Sequence, residues 1–266
     1  MVTLSQAPLI EAWLEVRWGQ VKVDPATQEK EYSFPGEEID FFFGQFKMIA
    51  DSDGLSHVER VFPEFAPPIP HVVVFRFREG PNIWPCFQIG RGVFTVNQIN
   101  DGYNWPKFKK DMLRGIEYLH KANPLKIEKL PIIDIQLRYR DGFLFKTSES
   151  PIDFLNKNME MSFKLPPDLF NKDFIMSNPS NINLGFTLNT VVPVGSVIIN
   201  LRKGAINAQP GFIMDTVTRI TSDEIKKECA DRLNLEYISS WLEEAHVIQQ
   251  HCFNTLIDPA YKRSFE

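Results

Sequence analysis

The stretch "PIIDIQLRYR", residues 131–140, alternates apolar and polar side chains. Its apolar positions are Ile133, Ile135, Leu137 and Tyr139. Its polar positions, two of them arginines, are Gln136, Arg138 and Arg140. Because successive side chains of a strand point to opposite faces, this stretch predicts a strand with one apolar and one polar face. Such alternation is typical of an antiparallel sheet that helices cover on one side only.

Two segments of the first half of the chain resemble two segments of the second half. "PLIEAWLEVR" (8–17) shares a proline, an acidic residue, a leucine and a final arginine with 131–140. Likewise, "VVVFRFREGPN" (72–82) matches "SVIINLRKGAI" (196–206) at its Phe/Leu, Arg and Gly positions. The matched arginines are 61 residues apart in the first half and 62 apart in the second. Similarity at a nearly constant interval indicates an internal duplication.

We therefore predict an α+β fold of two similar halves, residues 1–125 and 126–266, that form one compact unit. Each half is expected to be an antiparallel sheet with helices packed on one face, and the halves can share one continuous pseudo-twofold sheet. Spacings of three and four between apolar residues predict helices at about 36–49, 106–121 and 234–257. Ser150 followed by Pro151 predicts the start of a shorter helix at about 151–158. Alternation predicts further strands near 72–78, 86–90, 93–98, 182–191, 196–203 and 211–218.

The composition of the chain limits the functional classes and the cellular location that we expect. The net charge is −5, which argues against a dedicated nucleic-acid binder, because such proteins carry a basic field. The three cysteines, Cys86, Cys229 and Cys252, have no metal-ligand spacing, which favours reduced thiols in the cytoplasm. The first residues lack the pattern of a signal peptide, and no apolar run is long enough for a membrane span. We predict a cytoplasmic protein with no cofactor and no metal.

The polar strand positions form the candidate binding site. They are Arg76, Arg78, Gln88, Asn97, Arg138, Arg140, Asn200 and Arg202. The planar donor fork of arginine suits carboxylates and phosphates, so this face is predicted to bind an anionic small molecule or an acidic protein partner. The plain alternative is a solvated sheet face whose arginines pair with neighbouring acids at little energetic consequence.

Other candidate residues carry weaker signals. His246 and His251 are five apart on a predicted helix, a spacing that does not place both on one face for a metal, so His246 is expected to make a structural hydrogen bond. Tyr103 and Trp105 precede a predicted helix and fit either base stacking or a hydrophobic staple. Asp215 is a polar strand residue, and Asp215, His246 and Gln88 together are the alternative of an unrecognised enzyme. Cys252 falls on an apolar helix stripe and is expected to be a core thiol.

An ordered set of motifs extends over almost the whole chain. The motifs are "PPIPH" (67–71), "FRF" (75–77), "WP" (84–85), "QIGRGVFTVN" (88–97), "Y-N-W" (103–105), "LRYRDGF" (137–143), "MDT" (214–216) and "WLEEAH" (241–246). In this set the chain resembles a sporadically distributed family of uncharacterised bacterial proteins. That resemblance implies no defined activity. The patchy distribution of the family is similar to that of accessory genes such as phage-defence and toxin–antitoxin modules.

The sequence as a whole predicts a non-enzymatic binding module. The expected partner is a protein with an acidic segment, and a homodimer or an anionic small molecule are further expectations. An unrecognised enzyme and a single-stranded nucleic-acid binder that uses Tyr103, Trp105 and the arginines are the alternatives. The net charge disfavours the second of these.

Overall fold

The computed structural model describes residues 8–34, 39–67, 69–123, 130–145, 149–170, 175, 179, 181–229 and 234–265. Its strands are β1 Leu9–Trp18, β2 Gln20–Val23, β3 Lys30–Ser33, β4 His57–Arg60, β5 Val73–Arg78, β6 Cys86–Gly90, β7 Val93–Ile99, β8 Ile132–Leu144, β9 Asn183–Thr190, β10 Gly195–Ile206 and β11 Gln209–Thr221. Its helices are α1 Ile39–Ser52, α2 Trp105–Ala122, α3 Pro151–Asn158, α4 Ser222–Cys229, α5 Leu235–Leu256 and α6 Pro259–Arg263. A short 3-10 helix spans Pro167–Phe170.

Nine strands form one continuous antiparallel sheet, as the alternation predicts. Their order is β4-β5-β6-β7-β1-β8-β11-β10-β9. The two central strands, β1 and β8, are the segments that open the two predicted halves, and they pair with each other. A separate two-stranded sheet, β2-β3, follows β1. The α+β class and the continuous sheet are therefore confirmed.

The helices pack on one face of this sheet. One buried cluster joins α1, α2, α4 and the first half of α5 to apolar side chains of β1 and its neighbours. A second cluster joins α3 and the end of α5 to β8, β10 and β11. Apolar side chains on alternate positions, such as Leu14 and Val16 or Leu137 and Tyr139, supply the strand half of the core. We call this covered side the helix face and the other side the open face.

An asparagine cap and a hydrophobic staple mark the start of α2. The side chain of Asn104 accepts a hydrogen bond from the backbone nitrogen of Lys107 and caps the helix. Tyr103, just before that cap, packs on Phe108 with ring centroids 5.8 Å apart. This contact between the residue before the cap and the fourth helical residue is a hydrophobic staple, so the staple interpretation of Tyr103 is confirmed.

The sheet does not show the internal duplication. Two strands, β6 and β7, separate β5 from β1, whereas only β11 separates β10 from β8. The matched segments 72–82 and 196–206 therefore lie at different positions relative to the centre of the sheet, and their predicted equivalence is wrong. Equal separation along the chain does not specify the order in which strands pair. The predicted boundary near residue 125 lies outside the described residues.

Several short elements have no counterpart in the predictions. Strands β2, β3 and β4 are four residues each; β2 and β3 are largely exposed, and β4 is half-buried except at Arg60. Each is too short for its side-chain alternation to predict a strand. Helix α6 is a short element after the long predicted helix. In the described part of the chain, no helix combines the length and the apolar character that a bilayer crossing requires.

Candidate binding face of the sheet

A straight row of polar side chains crosses the open face. The strand register places one member on each of the nine strands. In order they are Glu59, Arg76, Gln88, Thr95, Glu15, Gln136, Arg219, Ser196 and Asn189. The four central members, from Gln88 to Gln136, are at most 9% exposed. We call this line of nine residues the polar row.

Hydrogen bonds fix the part of the face that lies over β5, β6, β7 and β1. Nε of Arg76 donates to Oε1 of Gln88 at 2.9 Å, and Nε2 of Gln88 donates to Oδ1 of Asn97 at 2.7 Å. The hydroxyl of Thr95 donates to the same oxygen at 2.6 Å. Nδ2 of Asn97 donates to Oε1 of Glu11 at 2.7 Å. Predicted residues Arg76, Gln88 and Asn97 are therefore brought together, in a network that satisfies buried polar groups.

A second group of predicted residues surrounds Trp13 at the centre of the sheet. The guanidinium carbons of Arg138 and Arg140 lie 5.0 and 5.3 Å from the Trp13 ring centroid, a cation–π arrangement. Nε of Arg140 donates to Oδ1 of Asp215 at 2.6 Å, and Nη2 of Arg202 lies 3.6 Å from Oδ2 of Asp215. We call Trp13, Arg138, Arg140, Arg202 and Asp215 the arginine cluster.

Arg138 has the least satisfied guanidinium of the arginine cluster. Its nearest carboxylate oxygen, Oε2 of Glu15, is 3.9 Å from Nη1, and its side chain is 31% exposed. Glu15 has a much closer partner in Arg17, at 2.5 Å. Within the described residues, Nε of Arg138 has no hydrogen-bond partner. The guanidinium of Arg138 therefore stacks on Trp13 with few hydrogen-bond partners among the described residues.

The open face carries an excess of positive charge. Its seven arginines are Arg17, Arg76, Arg78, Arg138, Arg140, Arg202 and Arg219. Its five carboxylates in the described strands are Glu11, Glu15, Glu59, Asp134 and Asp215. Most of these arginines have an acidic partner, such as Glu59 for Arg78 or Asp134 for Arg219. The described strands nevertheless place two more cations than anions on this face, although the whole chain has a charge of −5.

The remaining predicted residues lie on the helix face. The hydroxyl of Tyr139 is 2.9 Å from the hydroxyl of Tyr103 and 2.9 Å from Nδ1 of His246. Trp105 stacks on His246 at a centroid distance of 3.9 Å, and its Nε1 donates to Oε2 of Glu243 at 2.9 Å. Burial lowers the pKa of His246 to about 4. His246 makes the structural hydrogen bond that the sequence predicts, and Trp105 is its ring partner.

The sheet separates the residues of the enzyme alternative. Tyr139 and Arg140 are consecutive on β8 and point to opposite faces. Tyr139 contacts His246 on the helix face, and Arg140 contacts Asp215 on the open face. Gln88 lies with Asp215 on the open face, well along the sheet from it. Asp215, His246 and Gln88 therefore do not form one cleft, and this predicted grouping is wrong.

Asp141 is a buried carboxylate that the sequence analysis missed. It lies opposite Met214 on the helix face and is 3% exposed. Burial, with a smaller effect from Asp215, raises the pKa of Asp141 to about 7. Its Oδ2 has no hydrogen-bond partner among the described residues. The available signal was the alternation of β8, which places residue 141 on the same face as Tyr139 and Phe143.

Tyr139→Phe is expected to lower the free energy of unfolding by about 1 to 3 kcal/mol, because it leaves one half-buried and one buried polar group without their shared partner. Those groups are the Tyr103 hydroxyl and Nδ1 of His246. Urea denaturation measures the effect. Tyr103→Phe is the matched control, since it removes only the hydrogen bond between Tyr103 and Tyr139 and keeps the bond from Tyr139 to His246. An equal loss in both variants would contradict a central role for Tyr139.

The chain was compared with protein-family models, curated proteins and solved structures. None of the three comparisons finds a match. The resemblance to a family of bacterial proteins stays a prediction. Among the described residues, no group of three or more His, Cys, Asp or Glu side chains is placed to hold a metal ion.

A groove of about 400 Å³ lies on the helix face at the edge of the sheet. Phe43 and Gly44 of α1 form one wall, and Val58, Phe75 and Phe77 of β4 and β5 form another. None of the predicted site residues lines it. The groove is therefore distinct from the arginine cluster and from the hydrogen-bonded residues Tyr103, Tyr139 and His246.

Proposed function

We propose that this protein is a non-enzymatic binding module that takes a carboxylate- or phosphate-bearing partner on the open face of its sheet. The observation that carries the proposal is Arg138, a half-buried guanidinium stacked on Trp13 with little acidic compensation. Buried cations in proteins are normally paired. An anionic group from a partner would supply the missing counter-charge.

The geometry around Trp13 supports recognition of a planar or tetrahedral anion. Arg138 and Arg140 both lie over the ring, so their long side chains have already lost much of their rotamer freedom. An ordered guanidinium loses less entropy when it forms hydrogen bonds. Hydrogen bonds from arginine to an anion are also stronger than neutral ones. The arginine cluster is thus preorganised for binding an anion.

Asp215 supports a role in selectivity. It accepts from Arg140 and lies close to Arg202, so it neutralises the outer side of the arginine cluster. A weakly basic or neutral molecule has no negative group that could compete with the Asp215 carboxylate for Arg140 and Arg202. An anion can use Arg138 without displacing Asp215. The arrangement favours a partner that presents its negative group over Trp13.

The partner that we propose is a protein with an acidic segment, and a small anion is the second candidate. The resemblance seen in the sequence motifs suggests an accessory role in a phage-defence or toxin–antitoxin system, in the cytoplasm. A single-stranded nucleic-acid role that uses Tyr103 and Trp105 has less support. Both rings are engaged on the helix face, with Tyr139 and His246 respectively.

Arg138→Ala is expected to weaken binding of a labelled oligoglutamate peptide by about tenfold or more, because a hydrogen bond to a charged group contributes about 1.5–3 kcal/mol. Fluorescence anisotropy measures the affinity, and rising salt should reduce it. Inorganic phosphate serves as a competitor. Displacement by phosphate points to a small anion, and persistence of the peptide complex points to an acidic segment.

Arg60→Ala is the matched control for this experiment. It removes the same charge and a similar cation–π contact, with Phe75 at 5.3 Å, from the other face of the sheet. It should leave affinity unchanged, and both variants should keep the wild-type melting temperature. A wild-type protein that binds neither probe, or an equal loss in both variants, would contradict the proposal. A fall in melting temperature for Arg138→Ala alone would show that this arginine is structural.

A further inference from the structure

Strand β9 leaves one edge of the sheet open. It is the last strand in the order, and it pairs with β10 on one side only. Six of its eight residues are exposed, among them Phe186 and Leu188. The next two residues, Val191 and Val192, are 85% and 67% exposed. In the described part of the chain, nothing pairs with the outer edge of β9.

The devices that normally protect an edge strand are missing from β9. Proteins blunt such edges with lysine, proline, bulges or short strands. β9 is eight residues long and has no proline, no charged residue and no register shift against β10. The sequence contains no charged residue from 174 to 201, although 24% of the chain is charged. The opposite edge, β4, is four residues long and carries His57, Glu59 and Arg60, so among the described strands of the large sheet it is the β9 edge that lacks such protection.

The backbone of β9 shows which groups face outwards. The nitrogen of Lys203 donates to the carbonyl oxygen of Ile182 at 2.9 Å, and these two residues stand opposite each other by continuation of the β9–β10 register. Hydrogen-bonded and non-hydrogen-bonded pairs alternate in an antiparallel ladder, so even-numbered residues of β9 bond to β10. The residues whose N–H and C=O groups point away from β10 are Asn183, Gly185, Thr187 and Asn189.

We propose that two copies of this chain pair through β9, antiparallel and about a twofold axis that is perpendicular to the sheet and passes between the two Phe186 residues. Gly185 of one copy then stands opposite Thr187 of the other, and Asn183 stands opposite Asn189. The N–H and C=O groups of these four residues have no backbone partner among the described residues, and each finds one in the dimer. The two nine-stranded sheets join into one sheet of eighteen strands.

The side chains of β9 fit this register. Leu184, Phe186 and Leu188 lie on the helix face, opposite Leu201, Ile199 and Val197 of β10. In the dimer, Leu184 meets Leu188 of the second copy, and the two Phe186 rings meet at the axis. Apolar cross-strand pairs of this kind stabilise a sheet. The pairing also keeps the helices of both copies on one side.

Symmetry and charge favour a second copy of this chain, over a different partner strand, at the β9 edge. A twofold axis joins two identical β9 strands, so a net charge on β9 would meet an equal net charge of the same sign on the second copy. The absence of charge over 174–201 removes this repulsion in a chain whose net charge is −5. An edge that served a basic or acidic partner strand would carry complementary charge. The dimer does not depend on the ligand proposed for the open face.

Sedimentation velocity over a range of concentrations tests the dimer. The wild type is expected to dimerise, and Thr187→Pro is expected to shift it to monomer by raising the dissociation constant about tenfold or more. Proline removes an N–H that β10 does not use, so the fold should persist. Phe186→Lys should have the same effect through like-charge repulsion at the axis. Met48→Lys is the control, because Met48 is 63% exposed on α1.

Cysteine cross-linking tests the register. In a Cys229→Ser background, Phe186→Cys should form an intermolecular disulfide under mild oxidation, since the two side chains meet at a non-hydrogen-bonded pair. Leu188→Cys should not, because its opposite residue is Leu184. Cys86 and Cys252 are buried. A monomeric wild type, a dimer that survives both Thr187→Pro and Phe186→Lys, or cross-linking by Thr187→Cys in place of Phe186→Cys would overturn the proposal.

Discussion

Asp141→Asn is expected to stabilise the protein at about pH 8, by about 3 to 4 kcal/mol, and to change little at about pH 4. The cause is burial, which raises the pKa of Asp141 to about 7. The folded state must hold this carboxylate as an anion at high pH, in a site where Oδ2 has no partner among the described residues. Asparagine has nearly the same shape and no charge.

The sign of the pH dependence follows from the two states. Below the unfolded pKa, near 4, both states carry the proton and Asp141 has no effect. As pH rises towards 7, the unfolded state releases the proton first, so the free energy of unfolding falls. Above the folded pKa, the full cost of the buried anion remains. The wild type should therefore lose stability between about pH 4 and pH 7 relative to the Asp141→Asn variant.

Urea denaturation of the wild type and of Asp141→Asn between about pH 4 and pH 8 measures the difference in their free energies of unfolding. Other titrating groups, such as His246, are present in both proteins, so their contributions cancel in this difference. Asp51→Asn is the control, because Asp51 is an exposed residue of α1. A constant difference at all pH values would show that Asp141 does not titrate in the folded protein as described. A variant less stable at about pH 8 would contradict the cost assigned to the buried anion.

Phe46→Ala is expected to cost about 3 to 5 kcal/mol of stability, the range seen when a buried phenylalanine is truncated. Phe46 is fully buried between α1, α2 and the sheet. Its ring centroid lies 5.1 Å from that of Phe77, 5.8 Å from that of Phe94 and 6.1 Å from that of Tyr118. Truncation leaves a cavity among three rings, which a close-packed interior cannot fill by small shifts.

Thermal and urea denaturation report the loss for Phe46→Ala. Met48→Ala, two residues along the same helix, is the control, since Met48 is mostly exposed. Exposed substitutions usually change stability by less than about 0.5 kcal/mol. Similar effects at both positions would mean that α1 does not pack on the sheet through its Phe46 face.

Much of the fold follows from periodicity in the sequence. The alternation of "PIIDIQLRYR" identifies β8 and assigns Arg138 and Arg140 to a face without core contacts. The apolar stripe of α5 identifies the longest helix, including the buried thiol of Cys252. These signals are local, because the position of a side chain on a strand or helix depends only on the spacing along the chain. Elements without a buried face, such as β2, give no such signal.

The sequence by itself therefore determined the α+β class, the longer elements with a buried face and the polar face, and tertiary structure decided which residues are neighbours. Strand order alone separates the matched segments 72–82 and 196–206, and it aligns the polar row across all nine strands. The same order places Trp13 beneath Arg138 and puts His246 and Asp215 on opposite faces. The physical reason is that cross-strand pairing joins residues far apart in the chain, and periodicity carries no information about which strands meet.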